Sequence, residues 1–176
     1  MHNCLVGSEM CIRDRRDTDS GMETLMLKRN KALMFAGGLW VFPGGALEDS
    51  DIESAEGDIA LAARIAAARE AEEECGLRPD TDNMVHLSHW TTPVVEPKRF
   101  ETWIYAAPLA EDADVAIDGS EIHDFAWIRV QDAVAQHEAG EFGMLPPTYI
   151  TLLSLLRYTT TADMTACENE IAPPYV

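Results

Sequence analysis

One segment of the chain, residues 58–75, constrains the fold most. It is rich in Ala, Leu, Ile, Arg and Glu, and most of these residues are good helix formers. Gly76 supplies the stop expected after a helix, and Pro79 indicates that the helix does not continue. The sequence therefore predicts one long helix that ends in a run of acidic side chains.

The acidic run contains four glutamates, Glu70, Glu72, Glu73 and Glu74. Negative charge is unfavourable at the C-terminal end of a helix, and like charges three or four positions apart repel each other. At roughly 100° per residue, Glu72 points almost opposite to the other three, which share one face. Hard cations such as Mg²⁺ and Mn²⁺ prefer carboxylate oxygens. The pattern therefore fits a metal site, or alternatively a solvated face of a very acidic protein.

A turn with two glycines precedes the helix. Residues 42–45 read Phe-Pro-Gly-Gly and end a predicted strand abruptly. Together with the acidic run, this turn resembles the Nudix family box, G-x5-E-x7-R-E-U-x-E-E-x-G-U, in which U is a bulky aliphatic residue. Ala71 is smaller than the family's usual residue at its position. The matching residues are Gly45, Arg69, Glu70, Glu73, Glu74, Gly76 and Leu77.

The two halves of this box are separated by an insertion. Counted from Gly45, the first box glutamate falls on Asp51, and Arg69 then comes ten residues later than the pattern requires. The resemblance implies that Arg69 orients the glutamates through an ion pair, whereas an ordinary surface salt bridge is the alternative. The acid that orients Arg69 in turn is left open among Asp51, Glu53 and Glu56.

The resemblance extends over about residues 23–158. It implies an α/β fold, namely a Nudix-type α/β/α sandwich with a mixed β-sheet in a single domain. Residues 35–45, 90–93 and 97–100 look like the branch with a long insertion in the box that includes coenzyme A and acyl-coenzyme A diphosphatases.

The remaining chain is divided by composition and pattern. We expect the Nudix hydrolase domain over residues 16–159 and a loosely ordered tail over 160–176. Residues 1–15 lack clear strand alternation and resemble translated sequencing-adapter read-through, so we regard them as a doubtful, non-native segment and base no function on them. Alternation, β-branched residues and turn signals predict strands at 23–28, 39–42, 84–91, 102–107 and 125–130, and helices at 131–139 and 146–158.

The resemblance implies a metal-dependent hydrolase that cleaves a diphosphate bond in a nucleoside-diphosphate-linked small molecule. Coenzyme A or acyl-coenzyme A is the candidate substrate. Glu70, Glu73 and Glu74 would bind Mg²⁺ or Mn²⁺, and these ions would bridge the diphosphate and activate a water molecule. Gly44 and Gly45 would let the turn pass close to the metals and the substrate.

Residues outside the box complete the predicted site. Glu121, just before a predicted strand, is the candidate general base, although it could be a solvated loop acid. Arg29 and Arg99, with Lys98 as a weaker third, are candidates for the substrate phosphates because Arg can bind two phosphate oxygens at once.

Two aromatic residues are also candidates for the substrate pocket. Trp90 and Phe100 could stack on a base or line the pocket, but aromatic residues in strands more often belong to the core.

The charge balance excludes several classes of partner. The chain has 31 acidic residues against 13 Lys and Arg, a net charge of -18, and such a surface repels nucleic acid polymers.

No apolar run approaches the ~20 residues that cross a bilayer. The four cysteines, Cys4, Cys11, Cys75 and Cys167, are scattered, which indicates a reducing, cytoplasmic setting. The oligomeric state is left open, and a homodimer is one possibility.

Two rival functions use the same scaffold. A non-catalytic Nudix-like nucleotide-binding or regulatory module would be favoured by loss of the box carboxylates, which are present here. An isomerase acting on an isoprenoid diphosphate ranks lower, because no cysteine is clearly placed for that chemistry.

Overall fold

The computed structural model describes the backbone of residues 4–9, 12–13, 21–91, 99–109 and 113–166, and the side chains within 21–91, 101–109 and 113–166. The strands are β1 (Cys4–Glu9), β2 (Ile12–Arg13), β3 (Glu23–Arg29), β4 (Trp40–Val41), β5 (Gly44–Ala46), β6 (Val85–Thr91), β7 (Arg99–Ala106), β8 (Pro108–Leu109) and β9 (Ile122–Arg129). The helices are α1 (Asp49–Ser54), α2 (Ile59–Cys75), α3 (Val130–Glu138), α4 (Pro146–Leu155) and α5 (Thr161–Ala166), with a short 3-10 turn at Thr81–Asn83.

The strands form two sheets. One has the order β5-β1-β7-β6, and the other has the order β4-β3-β2-β8 with β9 paired to β3. The β1–β7 and β2–β8 pairs are parallel, whereas β3 pairs antiparallel with β4 and β9. Both sheets are therefore mixed, as the α/β prediction requires.

Helix α2 confirms the predicted helix at residues 58–75. The Asp58 carboxylate caps its N-terminus by accepting the N–H groups of Ala60 and Leu61 at 2.9 and 3.1 Å. Gly76 ends it with φ 73°, a left-handed conformation that glycine adopts without strain. The helix packs on β1, β5 and β7, so its C-terminal end lies beside the strand that contains the two glycines.

A small apolar cluster fixes that end of the helix. Its members come from β3, β4, the C-terminal part of α2, the segment just after its cap and the start of β9, and they are Leu25, Leu27, Val41, Ala71, Cys75, Leu77 and Ile122. A larger cluster joins the inner face of α2 to β6, β7 and the α3–α4 pair. The acidic turn of α2 is therefore attached to rigid elements on both sides.

The structure describes only the first part of the predicted tail. Thr161–Ala166 forms a helix and Met164 is fully buried in the larger cluster, whereas residues 167–176, and with them the rest of that prediction, lie outside the described residues. Burial of this one large apolar side chain outweighs the polar composition around it. The predicted helix at 146–158 ends earlier, at Leu155.

Some strand boundaries also differ from the prediction, because strand pairing outweighs the local sequence pattern there. The strand predicted at 125–130 begins at Ile122, which is buried and pairs with Arg29. Within residues 1–15, β1 and β2 form despite the absent alternation, because β1 has hydrogen-bonded neighbours on both edges. In the part of the chain that the structure describes, no helix is long and apolar enough to cross a membrane.

Candidate active site

The turn at the start of β5 contacts two of the box carboxylates directly. The Gly44 N–H donates to Glu74 Oε2 at 2.9 Å. A Cβ added to Gly45 would collide with the carboxylate of Glu70. The absence of a side chain on Gly45 is therefore what lets the strand approach the acidic turn of α2.

Glu74 is buried, with 7% of its surface exposed. Burial raises the pKa of Glu74 to about 8, although the Gly44 hydrogen bond and Arg29 oppose the shift, and Glu70 and Glu121 add to it. Glu74 therefore lies within electrostatic range of two other acids and one arginine.

Glu70 belongs to the same group. Burial raises the pKa of Glu70, its contact with Arg69 lowers it, and Glu73 and Glu121 raise it further. Glu121 thus acts on both Glu70 and Glu74, although it lies in the loop before β9 rather than on α2. The candidate base therefore lies within electrostatic range of Glu70 and Glu74.

Arg69 joins the two halves of the box. Its Nε and Nη2 donate to the two oxygens of Asp51 at 3.2 and 3.0 Å, the two-pronged geometry that arginine and carboxylate favour. Asp51 is only 2% exposed, and its hydrogen bond raises the pKa of Arg69, against a smaller lowering by burial. Of the three acids left open, the structure selects Asp51 rather than Glu53 or Glu56.

The same guanidinium reaches the glutamates. Nη1 of Arg69 donates to Glu70 at 2.9 Å and to Glu73 at 3.4 Å, and Nη2 donates to the carbonyl of Ala46 at 2.9 Å. Arg69 is therefore hydrogen-bonded to residues of both halves of the box and is not an isolated surface ion pair.

The insertion leaves this pairing intact. Asp51 lies in α1 (Asp49–Ser54), and its carboxylate also accepts the N–H of Glu48 at 2.9 Å, so it stabilises the start of that helix. After α1 the chain turns at Glu56 and Gly57, which have φ of 52° and 87°. The extra residues are thus taken up by a short helix and a turn between Asp51 and α2.

Whether these acids could bind a divalent cation depends on their chemistry and spacing. Carboxylate oxygens are the donors that Mg²⁺ and Mn²⁺ prefer, with water and substrate completing the coordination. Among the described side chains, no three acidic, histidine or cysteine groups already lie close enough to enclose an ion. Glu73 is 59% exposed, and its carboxylate lies 3.4 Å from Arg69 Nη1.

Arg29 lies at the edge of the acidic group. Its Nη2 is 3.7 Å from Glu121 Oε2, and its buried Nε has no hydrogen-bond partner within the described residues. A buried donor without a partner is unfavourable. The contact of Arg29 with substrate phosphate stays a prediction.

The other predicted substrate contacts divide into two groups. Trp90 packs against the larger core cluster and its indole N–H donates to Ser88 Oγ at 3.1 Å, which assigns it to the core. For Arg99 and Phe100 the structure describes only the backbone, which lies in β7, so it does not test the predicted contacts of their side chains. Lys98 lies outside the described residues.

Sequence reasoning missed two polar residues next to Glu121. The Asp118 carboxylate accepts backbone N–H groups of the loop that contains Glu121. Asn30 donates to the carbonyls of Ser120 and Glu121 in the same loop. The signal was present, because Asp118-Gly119-Ser120 is the kind of turn in which an aspartate bonds to its own following backbone.

Known proteins resemble this chain in sequence and in fold. Residues 10–147 match the model of the NUDIX domain family. This chain belongs to the Nudix family. A Caenorhabditis elegans relative named as a nudix hydrolase, nudix hydrolase 7, is 26% identical over 180 residues, which cover 82% of this Nudix chain. The chain spans 58% of the length of that curated relative.

Solved structures show the same Nudix fold. A NUDIX hydrolase from Alicyclobacillus acidocaldarius superposes with a TM-score of 0.83 at 20% identity, covering 98% of this chain and 100% of that one. The NUDIX domain of Shewanella oneidensis NrtR, complexed with ADP ribose, gives 0.59 at 16% identity, covering 80% and 86%. The predicted single-domain Nudix fold is confirmed.

Proposed function

We propose that this Nudix chain is a metal-dependent hydrolase that cleaves a diphosphate bond in a nucleoside-diphosphate-linked small molecule. The observation that carries the proposal is the burial of Glu74 against the Gly44 N–H, with Glu70 and Glu121 within electrostatic range. Three acids with one nearby arginine form a site whose charge a divalent cation would balance.

The box glutamates are the proposed ligands of Mg²⁺ or Mn²⁺. Glu70 and Glu74 would bind from the turn side, and Glu73 would rotate towards them from its exposed position. When bound, such an ion lowers the pKa of a coordinated water and offsets charge that develops on the diphosphate. Arg69, fixed by Asp51, orients Glu70 and Glu73 for this role.

The remaining residues act on the substrate. Glu121 accepts the proton of the attacking water, and the guanidinium of Arg29, which lies 3.7 Å from the Glu121 carboxylate, binds phosphate. Arg99 and Phe100 stay predicted contacts to the phosphates and the base. Attack of water on phosphorus breaks the anhydride bond and leaves two fragments that each bear a phosphate.

The substrate class is a small molecule. A net charge of -18 opposes binding of nucleic acid polymers, and one structural neighbour is complexed with ADP ribose. Coenzyme A and acyl-coenzyme A stay candidates from the resemblance of the flanking segments. We expect a cytoplasmic setting, in keeping with the free, buried thiol of Cys75, and a homodimer is one arrangement to test.

One experiment tests the function directly. The protein is incubated with Mg²⁺ or Mn²⁺ and coenzyme A, acyl-coenzyme A, ADP-ribose, NADH, dinucleoside polyphosphates and oxidised nucleotides, and the products are identified by mass. We expect metal-dependent release of two phosphorylated fragments from at least one compound. Absence of turnover for every compound would contradict hydrolysis. Cleavage of coenzyme A to a phosphopantetheine fragment would support the resemblance to the coenzyme A diphosphatase branch.

A non-catalytic nucleotide-binding module is the second candidate. It is favoured by the finding that, within the described part of the chain, no three potential ligands are already close enough to enclose an ion. Saturable binding of a nucleotide without turnover would select it. The isomerase alternative gains no support from Cys75, because burial raises the pKa of this thiol to about 11.

A further inference from the structure

The backbone around Glu121 is unusually well fixed for an exposed acid. The Glu121 side chain is 59% exposed, yet its N–H donates to Asp118 Oδ2 at 3.0 Å and its carbonyl accepts the N–H of Asn30 at 2.7 Å. Both sides of this peptide segment are therefore hydrogen-bonded to defined partners.

One carboxylate collects most of these bonds. Besides the Glu121 N–H, Asp118 accepts the N–H of Ser120 at 3.1 Å, the N–H of Ile122 at 3.0 Å and the hydroxyl of Ser120. The Asn30 side chain adds a bond from Nδ2 to the carbonyl of Ser120 at 3.0 Å. We call residues 118–122 the Glu121 loop.

The Glu121 loop is also attached to the helix that contains the box. The N–H of Asp118 donates to the carbonyl of Glu74 at 3.1 Å, and the N–H of Ala116 donates to the carbonyl of Cys75 at 2.9 Å. Asp118 thus bonds through its own backbone to Glu74 and through its carboxylate to the backbone of Glu121. It therefore links the backbones of these two acids directly.

We propose that Asp118, supported by Asn30, is a positioning residue that sets where Glu121 stands relative to Glu70 and Glu74. This inference rests on the proposed function, in which Glu121 is the general base. An ionised carboxylate suits this position because both of its oxygens accept hydrogen bonds. An asparagine side chain has one acceptor oxygen, and its NH2 group would face backbone N–H donors.

The test is a double-mutant cycle with Asp118→Asn, Glu121→Gln and the combined variant. We expect Asp118→Asn to lower kcat roughly 10- to 100-fold, as displaced catalytic groups do, with KM changed less than about threefold. In the Glu121→Gln background the same substitution should cost less than about twofold, because the group it positions is gone. Equal losses in both backgrounds would overturn the proposal.

Two further variants separate positioning from a general effect on the loop. Asn30→Ala removes the side-chain bond to the Ser120 carbonyl but keeps the backbone bond to Glu121, so it should lower kcat less than Asp118→Asn does. Asp114→Asn is the matched control, because Asp114 is an exposed acid in the preceding segment, and it should leave kcat unchanged. A loss with Asp114→Asn as large as that with Asp118→Asn would contradict a specific role.

A second measurement does not depend on turnover. In Asp118→Asn, amide hydrogen exchange at Ser120, Glu121 and Ile122 should accelerate by about tenfold or more while exchange in β3 stays unchanged. Unchanged exchange at the three amides would overturn the proposal. If the protein hydrolyses no diphosphate, the proposed function fails, and the exchange result alone then decides whether Asp118 fixes Glu121.

Discussion

The two halves of helix α2 differ in how well their sequences suit the positions that they occupy in the helix. The N-terminal half is capped by Asp58 and buries Ala62, Ala63, Ala66 and Ala67 completely, so its sequence and its surroundings agree. The C-terminal half has its acids where the helix dipole disfavours them, and its last turn contains no basic residue.

The alanine half builds the domain, whereas the acidic half is the proposed ligand site. The alanine half is stable through local propensity and packing. The acidic half depends on tertiary partners, namely the Gly44 N–H and the Arg69–Asp51 pair. A segment that violates local preferences and is still fixed by its neighbours is where a functional site is expected.

Substitution of the acidic half should have the largest effect. Glu74→Gln, and likewise Glu73→Gln, should lower metal-dependent turnover roughly 100-fold or more while the fold stays intact, because a cation ligand is lost. Steady-state kinetics and circular dichroism measure the two properties. Glu72→Gln is the matched control, since Glu72 lies on the same turn and pairs with Arg78 instead. Full turnover in Glu74→Gln would contradict the assignment.

Removal of the Asp51 carboxylate, which pairs with Arg69, should have the next largest effect. Asp51→Ala leaves a partly buried guanidinium without its main partner, and we expect a loss of roughly 3 kcal/mol in the free energy of unfolding, together with a roughly tenfold lower turnover. Denaturant unfolding provides the measurement. Glu53→Ala, on the same helix, should change stability by less than about 0.5 kcal/mol. Equal losses in the two variants would exclude Asp51 as the specific partner.

The acidic half should also give the metal-free protein a pH dependence. Since burial raises the folded-state pKa of Glu74 from 4.5 to about 8, the folded state binds an extra proton within that window, and stability falls as the pH rises through it. Thermal unfolding between pH 5 and 8, with a chelator present, measures the slope. Glu74→Gln should flatten it, and an unchanged slope in that variant would assign the dependence to other groups.

Substitution in the alanine half should have the smallest effect on function. Asp58→Ala removes the N-cap of α2 and should cost about 1 kcal/mol of stability with turnover unchanged. Thermal unfolding and kinetics on the same preparation test both parts. A large fall in turnover at full stability would mean that the two halves are not separate in function.

Local pattern predicted α2 and the box residues because helix propensity, the stop at Gly76 and the box spacing lie within a short stretch of chain. The choice of Asp51 over Glu53 and Glu56 depended on how α1 folds, which spacing alone does not determine. The approach of Glu121 to Glu70 and Glu74 depended on β9 pairing with β3. β1 and the burial of Met164 likewise follow from tertiary contacts and not from local alternation.

The central claim is that Glu70 and Glu74 bind divalent ions beside the Gly44–Gly45 turn. Anomalous diffraction from crystals soaked in Mn²⁺ tests it most directly. We predict an anomalous peak at coordination distance, about 2.0–2.2 Å, from oxygens of both glutamates, and loss of that peak in Glu74→Gln. Manganese bound only elsewhere on the acidic surface, or an unchanged peak in the variant, would contradict the claim.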